Sequence, residues 1–480
     1  MFDPIPWLIL LPLIWATLAF IYGPGRGGRL AVAGLTLQLA LAAILAQQIV
    51  ADGARVYAVG GWGAPLGIDL AVDGLSAVML LLTQAVAFPL AFYARAYFAG
   101  NAHPLRYFWP LTGYLLAAMN ALFLSADVFN IYVTLELLGL AAVGLVAVAG
   151  GAGPISAAMR YLLATLLGSG AYLLGVALLY GVYGSVSLAE LAPLIEADAP
   201  VAVSLAAALM MLGLMLKTAL FPFHFWLPPA HGGAPAPVSA LLSALVIKAS
   251  FYLILRLWFD LFAPIVNVTA AQFLGALGAG AVLWGSLQAL RQTHLKRLVA
   301  YSTVAQVGYL FLLFPLATGV SSEVAASALQ GGVLLVVAHG LAKAAMFAAA
   351  GAMIAAAGRD EIAGIAGVAA RLPLTLFTFA LAGVTIMGLP PSGGFAAKWL
   401  LLGAALASGQ WWWIVVMVVG GLLSAAYVFK VLRQAFLPAA ETANFKPLPR
   451  MLEWPAFLLA LASLVLGLGG GEVLSLLGAA

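Results

Sequence analysis

Of 480 residues, 65% are hydrophobic and only 8% are charged, with a formal net charge of +4. That balance excludes a soluble domain, whose surface needs far more polar side chains, and fits a polytopic membrane protein built from apolar runs of roughly 20 residues. The absence of cysteine excludes disulfides, thiolate zinc sites and cysteine-ligated iron–sulfur clusters in this chain, and basic residues scattered singly over loops give no nucleic-acid patch.

In chain order, the first run, IPWLILLPLIWATLAFIYG, lacks a basic leader and a small-residue cleavage site, so it reads as a retained span rather than a signal peptide. By hydropathy and length, helices are predicted near 5–23, 29–51, 73–97, 107–125, 127–149, 157–183, 201–221, 236–259, 269–290, 298–317, 325–356, 374–404, 410–437 and 455–477. This is an all-α membrane protein of about fourteen transmembrane helices. With the N-terminus outside, thirteen of the twenty Lys and Arg residues, Lys296 among them, fall on the inner side, and only Arg55 and Arg256 on the outer. The positive-inside rule then places both termini outside, as expected of an integral protein of a bacterial inner membrane.

Two helices are predicted to be broken. The seventh ends at LFPFHFWLPP around Pro222, and the twelfth is interrupted by GLPPSGGF, with Pro390, Pro391, Gly393 and Gly394, where the backbone ladder cannot continue. Five helices separate the breaks, so they run in opposite directions, the pattern of two inverted five-helix repeats, helices 4–8 and 9–13. The expected organisation is 1–106 for helices 1–3, 107–262 and 263–437 for the repeats, and 438–480 for helix 14. The eleventh run, 326–356, spans roughly 46 Å if helical and must tilt, bend or protrude.

Five basic residues lie inside apolar runs, and all are lysines: Lys217, Lys248, Lys343, Lys398 and Lys430. An ionisable group at the bilayer centre costs roughly 2.5 to more than 10 kcal/mol, so it persists where it faces a partner or water. A desolvated lysine can release its proton near neutral pH while arginine cannot, which points to proton handling. Glu136 is the mid-helix acid, a counter-ion or switch for such a lysine. Lys248 and Tyr252 share a helix face, as do His339 and Lys343, and imidazole can pass protons. The plainer alternatives are a Lys217 held by backbone carbonyls and a His339 satisfied in the core.

Lys430, near Arg433 at an inner helix end, reads as snorkelling to headgroups. His224 and His231 flank the Pro-rich break and either admit protons or satisfy freed carbonyls. Asp73 and Asp127 read as helix caps. RYFWP and LKRLVAYSTVAQVGY read as an interfacial aromatic belt. No nucleotide-binding or catalytic motif, no metal cluster and no strand is expected.

The segments ADVFNIYVTLELL, KTALFPFHFWLPPAHGGAPAPVSALLSALVIKAS, LKRLVAYSTVAQVGY, HGLAKAAMF and GLPPSGGFAAKW together resemble the antiporter-like proton-translocating subunits of Mrp-type cation/proton antiporters, respiratory complex I and membrane-bound hydrogenases. The D type of Mrp antiporter is the most similar. The resemblance implies that Glu136 of helix 5 pairs with Lys217 of helix 7, and that Lys248, His339 and Lys398 continue the relay, with Tyr252, Lys343, His224 and His231 as secondary candidates. It implies no cofactor in this chain, transport of H+ with Na+ as the coupled ion, and other membrane subunits as partners. Two hosts stay open: an Mrp antiporter, or a redox complex in which the same lysines pump protons.

Overall fold

The computed structural model describes residues 3–439 and 445–478. The crossing helices are α1 (Ile5–Tyr22), α2 (Pro24–Asp52), α3 (Gly74–Tyr97), α4 (Ala102–Leu124), α5 (Val128–Ala147) and α6 (Ala152–Tyr183). Next come α7a (Val201–Thr218) with α7b (Leu227–Gly233), α8 (Ala236–Leu261), α9 (Val268–Arg291), α10 (Leu295–Ala317) and α11 (Ser322–Ala357). The chain closes with α12a (Pro373–Met387), α12b (Gly393–Ala407), α13 (Trp411–Phe436) and α14 (Trp454–Leu477). Among the described residues thirteen helices are long and apolar enough to cross a membrane. The shorter α12a and α12b are the halves of the broken twelfth. The predicted spans differ from these helices by a few residues, mostly at ends that fray or carry a cap.

The caps act as expected. Asp73 accepts the Ser76 N–H at 3.0 Å while its own N–H donates to Ser76 Oγ at 2.8 Å, a reciprocal box that starts α3. Asp127 accepts the Asn130 N–H at 2.6 Å and starts α5.

A pair of strands is present where none is expected. The loop between α2 and α3 contains a two-stranded antiparallel hairpin, β1 (Arg55–Ala58) and β2 (Asp69–Val72), in register from Arg55↔Val72 to Ala58↔Asp69. Its signal was two short runs with β-branched and aromatic residues, RVYA and DLAV, flanking the turn-forming GGWGAPLG, a pattern overshadowed by the helical runs around it.

The breaks are built alike. α7a ends where Ala219 takes a left-handed conformation (φ 56°), and the Leu220 N–H turns back to Met215 O at 3.1 Å. α12a ends where Gly388 does the same (φ 81°), with the Leu389 N–H on Val384 O at 3.1 Å. Both are helix stops in which a reversed N–H satisfies an orphan carbonyl. The unwound stretch of the twelfth helix is 388–392. Gly393 and Gly394, expected inside the break, instead form the first turn of α12b. A Cβ on Gly394 would stand 2.0 Å from Thr385 O, so these glycines serve close packing against α12a.

α11 remains one continuous helix of 36 residues, roughly 54 Å at 1.5 Å per residue. Every residue from Gly331 to Met353 is buried, which is why its sequence is apolar all round. α8 is buried along almost its whole length and carries two π-helical stretches, Leu242–Val246 and Leu257–Leu261. Wider turns of this kind loosen the backbone ladder and recur at functional positions.

Candidate functional site

The contact of α6 with α7a depends on two glycines. A Cβ on Gly213 would lie 2.2 Å from Gly168 O, and one on Gly168 would lie 2.8 Å from Gly213 O. Small residues of this kind let backbones meet in an apolar bundle. Thr165 lies one turn before Gly168 and Lys217 one turn after Gly213, so the approach brings their side chains together. Lys217 Nζ donates to Thr165 Oγ1 at 2.6 Å.

Glu136, on α5, does not form the direct ion pair that the resemblance implies. Its carboxylate lies within Coulombic range of Lys217, but the described ion pairs are Arg55–Asp3, Arg256–Asp73 and Arg256–Asp260. Glu136 Oε1 is buried without a hydrogen-bond partner. The Lys217 ammonium is held by Thr165 of α6 instead. Beside Lys217 lies a cavity with about 10 Å³ of room for a water centre, lined by Leu138, Tyr161, Thr165 and, from α8, Val246 and Ser250. This is the lower limit for one water.

Lys248 is fully buried, and its ammonium donates to the Ser243 carbonyl within the first π-helical stretch. The Ser243 hydroxyl bonds Thr303 of α10 at 2.9 Å. Lys343, also fully buried, donates to Val299 O at 3.0 Å and to Ser302 Oγ, both on α10. Lys398, on α12b, donates to Ile386 O at 3.0 Å and Met387 O at 3.3 Å, carbonyls that the break of helix 12 sets free. Its ammonium also sits 4.1 Å from the centroid of the Tyr309 ring, a cation–π contact.

His339 is buried on α11 with neither ring nitrogen hydrogen-bonded. It lies within Coulombic range of Lys248, Lys343 and Lys398. His231, at the end of α7b, is equally buried, has both ring nitrogens unpartnered, and feels Lys343, Lys296 and Lys248. The structure therefore brings His231, Lys248, Lys343, His339 and Lys398 into one polar seam through the middle of the bundle. His224 is half-buried at the break, 6.5 Å from the Tyr301 ring centroid, and stands outside that seam.

Tyr252 does not join Lys248. Its hydroxyl donates to Phe123 O at 2.9 Å and accepts from Arg256 Nε at 3.1 Å. It belongs to a second network, in which Arg256 also binds Asp73 and Asp260. That network borders a cavity of about 380 Å³ roofed by the hairpin.

Three readings change. Lys430 does not snorkel: its ammonium donates to Leu290 O and Gln292 O at 2.7 Å each and so caps the C-terminal end of α9. Lys296, assigned from sequence to the inner loops, is buried and donates to Ala234 O. The segment LKRLVAYSTVAQVGY is no interfacial belt, since Ser302, Thr303, Gln306 and Tyr309 are all buried. Their spacing, 302, 306 and 309, places polar groups along one face of an otherwise apolar helix. The flanking Lys296 and Arg297 give the same segment the composition of a membrane edge.

Buried lysines on several helices, two of them at breaks of opposite direction, define a polytopic membrane protein that handles charge inside its bundle. Residues 125–424 match the profile of the NADH:quinone oxidoreductase/Mrp antiporter transmembrane family, and the chain belongs to that family. It is 34% identical to the N subunit of the NADH-quinone oxidoreductase of Desulforudis audaxviator, over 98% of this chain and 96% of that one. It is 29% identical to the D subunit of the Na(+)/H(+) antiporter of Bacillus subtilis, over 91% and 87%. Among solved structures it is similar to a chain of the Mrp complex from Dietzia sp., with a TM-score of 0.90 and 28% identity over 99% of this chain and 96% of that one.

Proposed function

We propose that this chain is the proton-translocating membrane subunit of a multisubunit monovalent cation (Na+)/proton antiporter of a bacterial inner membrane, with both termini outside. It works among other membrane subunits and carries no cofactor. Protons enter from the inner side near the helix 7 break and load Lys217 or Lys248. They pass by way of Lys343 and His339 to Lys398, and leave on the outer side or travel in reverse, as the gradients dictate. Helices α4–α8 and α9–α13 act as two inverted halves, each contributing one broken helix.

One observation carries this reading: Lys217, Lys248, Lys343 and Lys398 are all buried, and each hydrogen-bonds only neutral oxygens. A structural ion pair would be the ordinary way to keep such a charge in place. An amine held by hydroxyls and carbonyls can lose its proton without stranding a counter-ion. The partly buried Glu136, close to Lys217 but not bonded to it, is free to strengthen or weaken its hold as the helices shift.

The test is transport in everted vesicles containing the whole complex. Lys217→Ala and Glu136→Ala are each expected to abolish cation-driven proton movement while the complex still assembles; wild-type transport in both would overturn the assignment. The second reading, a proton-pumping subunit of a redox complex, is favoured by the 34% identity to a quinone oxidoreductase subunit. Iron and flavin in the purified complex would support it over the antiporter.

A further inference from the structure

The route between Lys343 and Lys398 need not run through His339, whose ring nitrogens have no hydrogen bond. A different set of groups lies between the two ammoniums, on α10 and α13. Lys343 donates to Ser302 Oγ. Ser302 also lies near the Tyr427 hydroxyl, but the two share no hydrogen bond in this arrangement, in which the Ser302 hydrogen points to Val299 O. Tyr427 donates to Ser424 Oγ at 3.0 Å. Gln306 Nε2 donates to that same Ser424 oxygen at 3.4 Å and to Ile386 O at 3.2 Å. Ile386 O, in turn, is the acceptor held by Lys398 at 3.0 Å. Ser302, Gln306, Ser424 and Tyr427 are each at most 1% exposed, so these polar groups meet one another inside the bundle.

The chemistry of the links is uneven. A hydroxyl both accepts and donates, so Ser302, Tyr427 and Ser424 can each take one proton and hand on another. An amide nitrogen cannot. The group facing Ile386 O must be the amide nitrogen, because a carbonyl only accepts, and that same nitrogen faces Ser424. It presents hydrogens in both directions and has no lone pair free to receive one.

We infer that Ser302, Tyr427 and Ser424 form a proton wire from Lys343 toward Lys398, and that the Gln306 amide is the gate that closes it. In the open state the amide swings away and the neutral Lys398 amine takes its place beside Ser424. Lys343 Nζ then gives a proton to Ser302 Oγ, whose own hydrogen turns from Val299 O, where it now lies at 2.9 Å, to Tyr427. The phenol hydrogen passes to Ser424, and the Ser424 hydrogen to Lys398. Each oxygen gains one O–H bond and loses one. The net change is that Lys343 becomes neutral and Lys398 becomes charged. The gate matters because a permanently open wire would let protons cross without the coupled ion.

This inference rests on the proposed antiport function, and the experiment separates the two. In everted vesicles with the whole complex, initial rates per assembled complex are measured for Tyr427→Phe, Ser302→Ala, Ser302→Thr and Gln306→Ala, beside Lys217→Ala. Tyr427→Phe and Ser302→Ala should slow antiport about tenfold or more, a barrier increase of about 1.4 kcal/mol. Ser302→Thr keeps the hydroxyl and should run near the wild-type rate, which a merely structural role for Ser302 would not predict from the bulkier side chain. Gln306→Ala should leak protons when no coupling cation is present. Ser424→Ala substitutes for any hydroxyl variant that fails to assemble. Wild-type rates in Tyr427→Phe and Ser302→Ala, with Lys217→Ala inactive, would overturn the wire and leave the antiport function standing. A tight Gln306→Ala vesicle would overturn the gate. An active Lys217→Ala would instead overturn the proposed function.

Discussion

At the scale of single residues, the acceptors chosen for the buried lysines decide what those lysines can do. Thr165, Ser302 and the carbonyls of Ser243, Val299, Ile386 and Met387 stabilise an ammonium without fixing it as an ion pair. Removing Thr165 with Thr165→Val should therefore slow proton uptake at Lys217 more than it lowers stability, because the replacement fills the same volume. Comparing antiport rate with the thermal midpoint of the purified complex checks this. The caps offer a cleaner energetic test. Asp127→Ala should cost about 1 kcal/mol of stability through the lost N–H acceptor at the start of α5, read as a lower thermal midpoint.

Asp73 adds a pH dependence. Burial by itself raises its carboxyl, but the hydrogen bond and charge of Arg256, with help from Ser76, outweigh that and hold it below its usual 3.8. A depressed carboxylate contributes stability that is complete above its unfolded value and is lost as pH falls through the folded one. The stability gap between wild type and Asp73→Asn should accordingly be widest near neutral pH and close below the ordinary carboxylate range, as followed by thermal unfolding across pH.

At the scale of elements, helix breaks and glycine contacts place these side chains. Both breaks use a left-handed residue and a reversed N–H, and the break of the twelfth helix frees the carbonyls that hold Lys398. The α6–α7a contact sets the Thr165–Lys217 bond through Gly168 and Gly213. Gly213→Leu would push a side chain into the opposing backbone at a point that has no room for a Cβ. Overpacking of this kind costs about 1–3 kcal/mol, and separation of the helices should also break the Lys217 bond. A lowered thermal midpoint together with lost antiport is the expected outcome.

Much at this scale was legible in the sequence. The spans followed from hydropathy, the breaks from their prolines, and the buried Lys217, Lys248, Lys343 and Lys398 from counting charges. What escaped were features set by tertiary geometry. Nothing local in the sequence says that Thr165 would bond Lys217 in place of Glu136, that Lys296 would be drawn inward to Ala234 O, or that Lys430 would cap α9. Ser302, Gln306, Ser424 and Tyr427 are individually ordinary in membrane helices. Their meaning appears only when α10 and α13 meet.

At the scale of the whole molecule, the account requires one orientation and one continuous seam. The chain contains no cysteine, so single cysteines report sidedness directly. Ala197→Cys, exposed between α6 and α7a, should react with an impermeant thiol reagent in intact cells. Arg359→Cys, exposed after α11, should react only in everted vesicles.

The seam is tested most directly by Lys398→Arg in everted vesicles containing the assembled complex. Arginine keeps the positive charge and the hydrogen-bonding capacity but does not give up its proton. If Lys398 works by exchanging a proton, cation-driven proton movement falls to background while assembly is retained. If its charge alone matters, the arginine protein transports at the wild-type rate, and proton exchange along the buried lysines is contradicted.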